Sequence, residues 1–190
     1  QFPLKPSAIE IFQVNVGYMC NQVCKHCHVD AGPDRQEIMS CKTMQQCLDV
    51  LTNAGIKTLD ITGGAPEMNP DFRWFVGEAK KTGVQEIIVR SNLTIITANP
   101  KYHDLPNFFK THNVRVCSSL PFYNDGKTDR QRGEGVFERS VQGLRMLNDE
   151  GYGKTDTGLM LDLVYNPTGA FLPGSQQQLE RDFKKELKDH

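Results

Sequence analysis

The sequence predicts an α/β fold: a partial (βα) barrel of parallel strands with outer helices. Three observations carry this. Short β-branched apolar runs alternate repeatedly with amphipathic helical patterns, as βαβ units do. Each gap between runs is long enough for a crossover, so neighbouring strands run parallel and are expected to be buried on both faces. No dinucleotide fingerprint follows the first run, which favours a barrel over a Rossmann sheet.

In chain order, the predicted strands are Ile11 to Val16, Leu59 to Thr62, Glu86 to Arg90, Val114 to Ser119 and Leu159 to Tyr165. Between the first two, Met44, Cys47, Leu48 and Leu51 form a helical stripe, with Ser40 as N-cap and Gly55 as stop. Phe72, Phe75, Val76 and Ala79 form the next, opened by Asn69-Pro70 and closed by Gly83. A weaker helix covers Leu105 to Lys110. A clear one runs from Val136 to Asn148, with Phe137, Val141 and Leu144 on one face and Gly151 behind it. The last, Gln176 to Lys188, is polar but carries Leu179, Phe183 and Leu187 at four-residue spacing.

At 190 residues the chain fits one domain, 1–190, or most of a larger one. A formal charge of −1 with scattered basic residues gives no reason to expect a nucleic-acid partner. No stretch approaches the ~18 consecutive apolar residues of a membrane span, and the first residues do not read as a secretion signal. A cytoplasmic protein is expected. Gln1 at one end, and a final helix with no following strand at the other, suggest a C-terminally truncated sequence whose substrate domain is missing.

Six cysteines without a secretion signal suggest metal or redox chemistry in a reducing compartment. Three of them, Cys20, Cys24 and Cys27, are spaced C-x3-C-x2-C just after the first strand. Chance gives such a triple only about 0.006 times in a chain of this composition. Three soft thiolates on one loop suit zinc or an iron–sulfur cluster. Zinc needs a fourth ligand, for which His28 or Cys41 is available, and the chain would then be a non-catalytic zinc-binding module. A cubane held by three thiolates leaves one iron open for chemistry. Cys47 reads as core and Cys117 as a strand residue, while His103 and His112 read as surface.

The loop resembles the signature of the radical S-adenosylmethionine superfamily, with His26 where that signature carries an aromatic residue. The resemblance implies a 4Fe-4S cluster on Cys20, Cys24 and Cys27, whose open iron binds S-adenosyl-L-methionine, and a catalytic apparatus that is the cluster and cofactor themselves. An electron donor such as flavodoxin or ferredoxin follows from it. Thr62-Gly63-Gly64-Ala65-Pro66-Glu67 stands where the superfamily has Gly-Gly-Glu-Pro, so Gly63 and Gly64 would let the backbone approach the cofactor and Glu67 would accept from its ammonium. Ser91 and Asn92, ending the third strand beside Arg90, would serve the ribose and carboxylate, and His26 would face the adenine. Ser118, Ser119, Asp162 and Asn166 occupy similar strand-end places.

NVGYMCNQVCKHCHVDAGP, DITGGAPE, VRSNLTI and LVYNPTGAFLP together resemble the arsenosugar biosynthesis radical S-adenosylmethionine proteins (ArsS-like), which share the permuted Gly-Gly-Ala-Pro-Glu order. This implies transfer of the 5′-deoxyadenosyl group to a small-molecule substrate, a dimethylated arsenical. A relative acting on a peptide or cofactor precursor is the alternative within the superfamily.

Overall fold

The computed structural model describes residue 3, residues 8–166 and residues 172–190. Strands β1 (Ile11–Asn15), β2 (Thr58–Thr62), β3 (Glu86–Ser91), β4 (Val114–Ser119) and β5 (Leu161–Val164) form one all-parallel sheet in sequential order. Helices α1 (Cys41–Ala54), α2 (Phe72–Ala79), α3 (Thr94–Ala98), α4 (Leu105–Thr111), α5 (Asp125–Arg132) and α6 (Val136–Asp149) lie in the crossovers, and α7 (Gln176–Glu186) follows β5. This is the open α/β barrel that the sequence predicts.

The helix signals act as their chemistry requires. Ser40 Oγ accepts from the Thr43 N–H, and Gly55, at φ 64°, takes the left-handed turn that ends α1 and donates to Leu51 O. Met44, Leu48 and Leu51 face inward from α1, as do Phe72, Phe75, Val76 and Ala79 from α2. Phe72 meets Phe109 of α4 edge-on at 6.4 Å, joining α2 to α4. After α6, fully buried Tyr152 donates to Val114 O at 2.7 Å and ties that turn to the start of β4.

One expectation fails: the strands are not buried on both faces. Val14, Leu59, Ile61, Ile87, Val89, Val114 and Val116 belong to the core under the helices. The alternate residues, on the concave face, are mostly polar, with Ile11 and Ile88 among the apolar exceptions. Gln13 and the guanidinium fork of Arg90 both hold Asp60, while Arg115 bridges Asp162 at 2.5 Å and Glu86 at 3.2 Å. Cys117 stands in the row between Arg90 and Asp162 and is half-buried on this face, not sealed in the core. Charged side chains remain here because each has an oppositely charged partner, Asp60 being buried under the Arg90 fork.

Helices α3 and α5 were not predicted. Helix α5, DGKTDRQR, has no apolar stripe and is held by polar contacts: Asn124 caps it, Thr128 Oγ1 donates to Phe122 O, and Asp129 accepts from the Gly135 and Phe137 N–H groups at the start of α6. His112 is not simply a surface residue, since its ring lies 4.3 Å from that of Phe108. Helix α7 docks by Phe183, which meets Tyr123 and Tyr165 edge-on. The middle of LVYNPTGAFLP, 167–171, lies outside the described residues.

Candidate active site

The three-cysteine loop leaves the C-terminal end of β1 and returns on itself. Its base is closed by Cys20 N–H to Gly32 O and Gly32 N–H to Tyr18 O, both at 3.1 Å. Cys20 is buried; Cys24 and Cys27 are half-buried, and none forms a disulfide. The thiols are near enough that Cys24 and Cys27 both act on Cys20. Burial pushes the Cys20 thiol up, opposed by hydrogen bonds from the Gln22 backbone and the Asn92 amide. Burial also pushes Cys24 up, opposed by the nearby Arg132 guanidinium. A metal that displaces these protons removes the cost of burying thiolates.

A polar network from β3, α3 and α5 fixes this loop. Asn92 Nδ2 reaches Asn21 Oδ1 at 2.8 Å and Cys20 Sγ at 3.5 Å, while its Oδ1 accepts from Thr94 Oγ1 and the Ile95 N–H. Asn21 and Gln22 both donate to Thr94 Oγ1. Leu93, between Asn92 and Thr94, is a non-glycine residue at φ 59°, ψ −47°, closed by a Thr94 N–H to Asn92 O bond of 2.6 Å. Such a γ-turn costs about 1–3 kcal/mol and persists only where its surroundings hold it. Here it turns the flanking polar side chains toward the cysteine loop. Gln22 accepts from Arg132 Nη2 at 2.8 Å, and Cys24 Sγ lies 3.5 Å from the same oxygen.

The glycine turn after β2 backs directly onto this loop. Gly64 N–H donates to Gly17 O, and Ala65 N–H to Met19 O. A Cβ on Gly64 would stand 2.3 Å from Met19 O, and one on Gly63, at φ 149°, 2.7 Å from Gly17 O. Both glycines are therefore demanded by backbone approach alone. Glu67 follows in the short 3-10 turn Pro66–Met68. Its carboxyl is fully buried; Ser91 Oγ is its nearest polar neighbour, but neither oxygen has a partner in hydrogen-bonding geometry, and Ser91 and Ser118 also keep buried, unpartnered hydroxyls. Burial pushes the Glu67 carboxyl up to about 7.

His26 is exposed at its edge on the loop, and partial desolvation together with the nearby Arg132 charge lowers its pKa. Cys20, Cys24, Cys27, His26, Gly63, Gly64, Glu67, Ser91 and Asn92 thus gather at the C-terminal edge of β1, β2 and β3. Asp162 and Cys117 lie deeper on the concave face, and Cys41 is exposed at the start of α1. Sequence reasoning missed Asn21, Gln22, Thr94 and Arg132; none has a telling spacing, and only the strand-end position of Thr94 was a signal.

Residues 14–167 match the Radical SAM superfamily. The chain belongs to that superfamily. Among curated relatives it is 24% identical over 137 residues to the subtilosin biosynthesis protein AlbA of Bacillus subtilis, covering 70% of this chain and 29% of AlbA. It is 29% identical over 138 residues to the AdoMet-dependent heme synthase of Nitratidesulfovibrio vulgaris, covering 70% and 35%. A probable GTP 3′,8-cyclase of Sulfurisphaera tokodaii is 26% identical over 90 residues, 47% of this chain and 29% of that protein. The chain spans less than half the length of each. Streptococcus suis SuiB bound to S-adenosylmethionine shares the fold at TM-score 0.67 and 14% identity, over 96% of this chain and 39% of SuiB.

Radical SAM enzymes use a 4Fe-4S cluster and S-adenosylmethionine, and these are the cofactors of this chain. The residues present fit them. Among the described residues no group of three Cys, His, Asp or Glu side chains forms a single-ion site, whereas a cubane spreads its thiolates more widely. Three soft thiols on one loop, braced by Asn92 at Cys20 and by Gln22 at Cys24, are the donor set such a cluster takes. The family match over residues 14–167 favours the cluster over a zinc module. No helix among the described residues is long and apolar enough to cross a membrane.

Proposed function

We propose that residues 1–190 form the radical-generating core of a cytoplasmic enzyme that joins the 5′-deoxyadenosyl group to a dimethylated arsenical in arsenosugar biosynthesis. The observation that carries the arsenical reading is the permuted Gly-Gly-Ala-Pro-Glu turn, shared with the ArsS-like proteins and set among the other resembling motifs. The permutation has a physical consequence. Ala65, not an acid, follows the glycines and donates its N–H to Met19 O, while Glu67 sits two residues on with its carboxyl buried.

In this reading Cys20, Cys24 and Cys27 hold the cluster. Gly63 and Gly64 bring the backbone close, Glu67 accepts from the cofactor ammonium, Ser91 and Asn92 serve its ribose and carboxylate, and His26 lies beside its adenine. When bound, the cluster supplies the electron that splits the cofactor sulfonium, received from a flavodoxin or ferredoxin. The transfer would break the C5′–S bond, with methionine leaving with the bonding pair, and form a C5′–As bond from the arsenic lone pair; arsenic would go from trivalent to pentavalent and give back the electron spent on the sulfonium, so none would be consumed net. Cys117, on the concave face, offers a soft donor to trivalent arsenic.

A second reading keeps the chemistry and changes the substrate to a peptide or cofactor precursor. The relatives support it, since their names speak of GTP cyclisation, subtilosin and heme, and SuiB has been seen with a precursor peptide. Anaerobic turnover of the full-length protein with dimethylated arsenical, followed by mass spectrometry, separates the two. An arsenic–adenosine adduct is expected. Formation of 5′-deoxyadenosine with no adduct gives the case to the second reading.

A further inference from the structure

Arg132 closes α5 deep beside the cysteine loop and is only 6% exposed. Two of its nitrogens are committed: Nη1 donates to Ser119 O at 3.0 Å and Nη2 to Gln22 Oε1 at 2.8 Å. Its Nε is buried without a partner. No carboxylate pairs with it among the described residues, and the groups near it that become anionic on binding a metal are the thiols of Cys24, Cys20 and Cys27. Every other strongly hydrogen-bonded arginine near the sheet contrasts with this, since Arg90 pairs with Asp60 and Arg115 with Asp162 and Glu86.

A buried guanidinium stays charged, and leaving it unpaired is costly. Its surroundings therefore call for an anion close by, and the feature it faces through Gln22 is the three-thiolate loop. A cluster on three thiolates becomes more negative by one unit when it gains an electron. A fixed positive charge in a dry setting stabilises that reduced state more than the oxidised one.

We propose that Arg132 is the built-in counter-charge of the cluster, a positioning residue that makes its reduction easier while fixing the Gln22 side chain within the cysteine loop. The proposal rests on the assignment of the cluster to Cys20, Cys24 and Cys27, and iron and sulfide content report that assignment separately.

The test is the cluster midpoint potential of the reconstituted protein without S-adenosylmethionine, from dithionite titration followed by EPR, with iron and sulfide measured on each sample. R132Q is expected to disfavour reduction at least tenfold, which is 59 mV for a one-electron couple. R132K, which keeps the charge, is expected within threefold of wild type. If R132Q takes up no cluster, Q22E serves instead, because it keeps the shape and offsets the same charge; it is expected to shift the potential in the same direction. An R132Q or Q22E protein that holds its cluster at the wild-type potential overturns the proposal. An effect of R132Q only when S-adenosylmethionine is present overturns it too, because the charge then serves the cofactor and not the cluster.

Discussion

Glu67 shows how one residue can carry both a cost and a use. Its two carboxylate oxygens are buried without a hydrogen bond, and no charged side chain contributes to its raised pKa. Its folded value, about 7, lies above its ordinary 4.5. Between those two pH values the folded chain keeps a proton that the unfolded chain has released, so stability falls as pH rises through that window and levels off above it. The stability of wild type relative to E67Q, measured by denaturant unfolding of the metal-free chain, should decline by on the order of 3 kcal/mol from pH 4.5 to pH 7. A difference that does not change with pH would show that the carboxyl is already ionised in the fold.

The remaining site residues differ in how well the sequence announced them. The cysteine spacing is a local pattern and was read directly. Asn92 also braces the cysteine loop, through Cys20, Asn21 and the start of α3, which its strand-end position does not announce. Such a role depends on the γ-turn at Leu93, which no sequence pattern reports. Arg132 was invisible for a similar reason, since its partners are 110 and 13 residues away.

At the scale of elements, the junction between the glycine turn of β2 and the Gly17–Met19 segment sets the geometry of the site. Gly64→Ala would place a Cβ 2.3 Å from Met19 O, where backbone must move. We predict a loss of about 2–4 kcal/mol in unfolding free energy and failure to take up iron on reconstitution. Gly32→Ala is the control: the added Cβ meets nothing within 4 Å, so iron content should match wild type. Equal iron uptake by both variants would mean that the turn does not position the loop.

Helices with apolar stripes, α1, α2 and α6, were legible from sequence because burial of one face is what forms them. Helix α5 was not, because Thr128, Asp129 and Arg132 hold it through side-chain hydrogen bonds to groups outside the helix, which leave no periodic apolar pattern. The polar concave face had a signal that went unused. Asp60 alternates with Leu59 and Ile61, and Arg115 with Val114 and Val116, a period of two that marks a strand buried on one side only.

For the whole molecule, the sheet is an open arc in which β1 and β5 each lack a second neighbour among the described residues. The helices cover its convex side and the charged rows of Asp60, Arg90, Arg115 and Asp162 line the other. The cysteine loop stands at the C-terminal rim of that arc, where parallel barrels place their chemistry. The arrangement sets the three-cysteine loop at the rim of a mostly polar concave face.

The central claim is that Cys20, Cys24 and Cys27 hold an iron–sulfur cluster with an iron left free. Anaerobic reconstitution of the chain, with iron, sulfide and zinc measured per chain, tests it most directly. The account predicts about four irons and four sulfides, lost on Cys24→Ala. A single zinc per chain without sulfide, or a full cluster retained by Cys24→Ala, would contradict it.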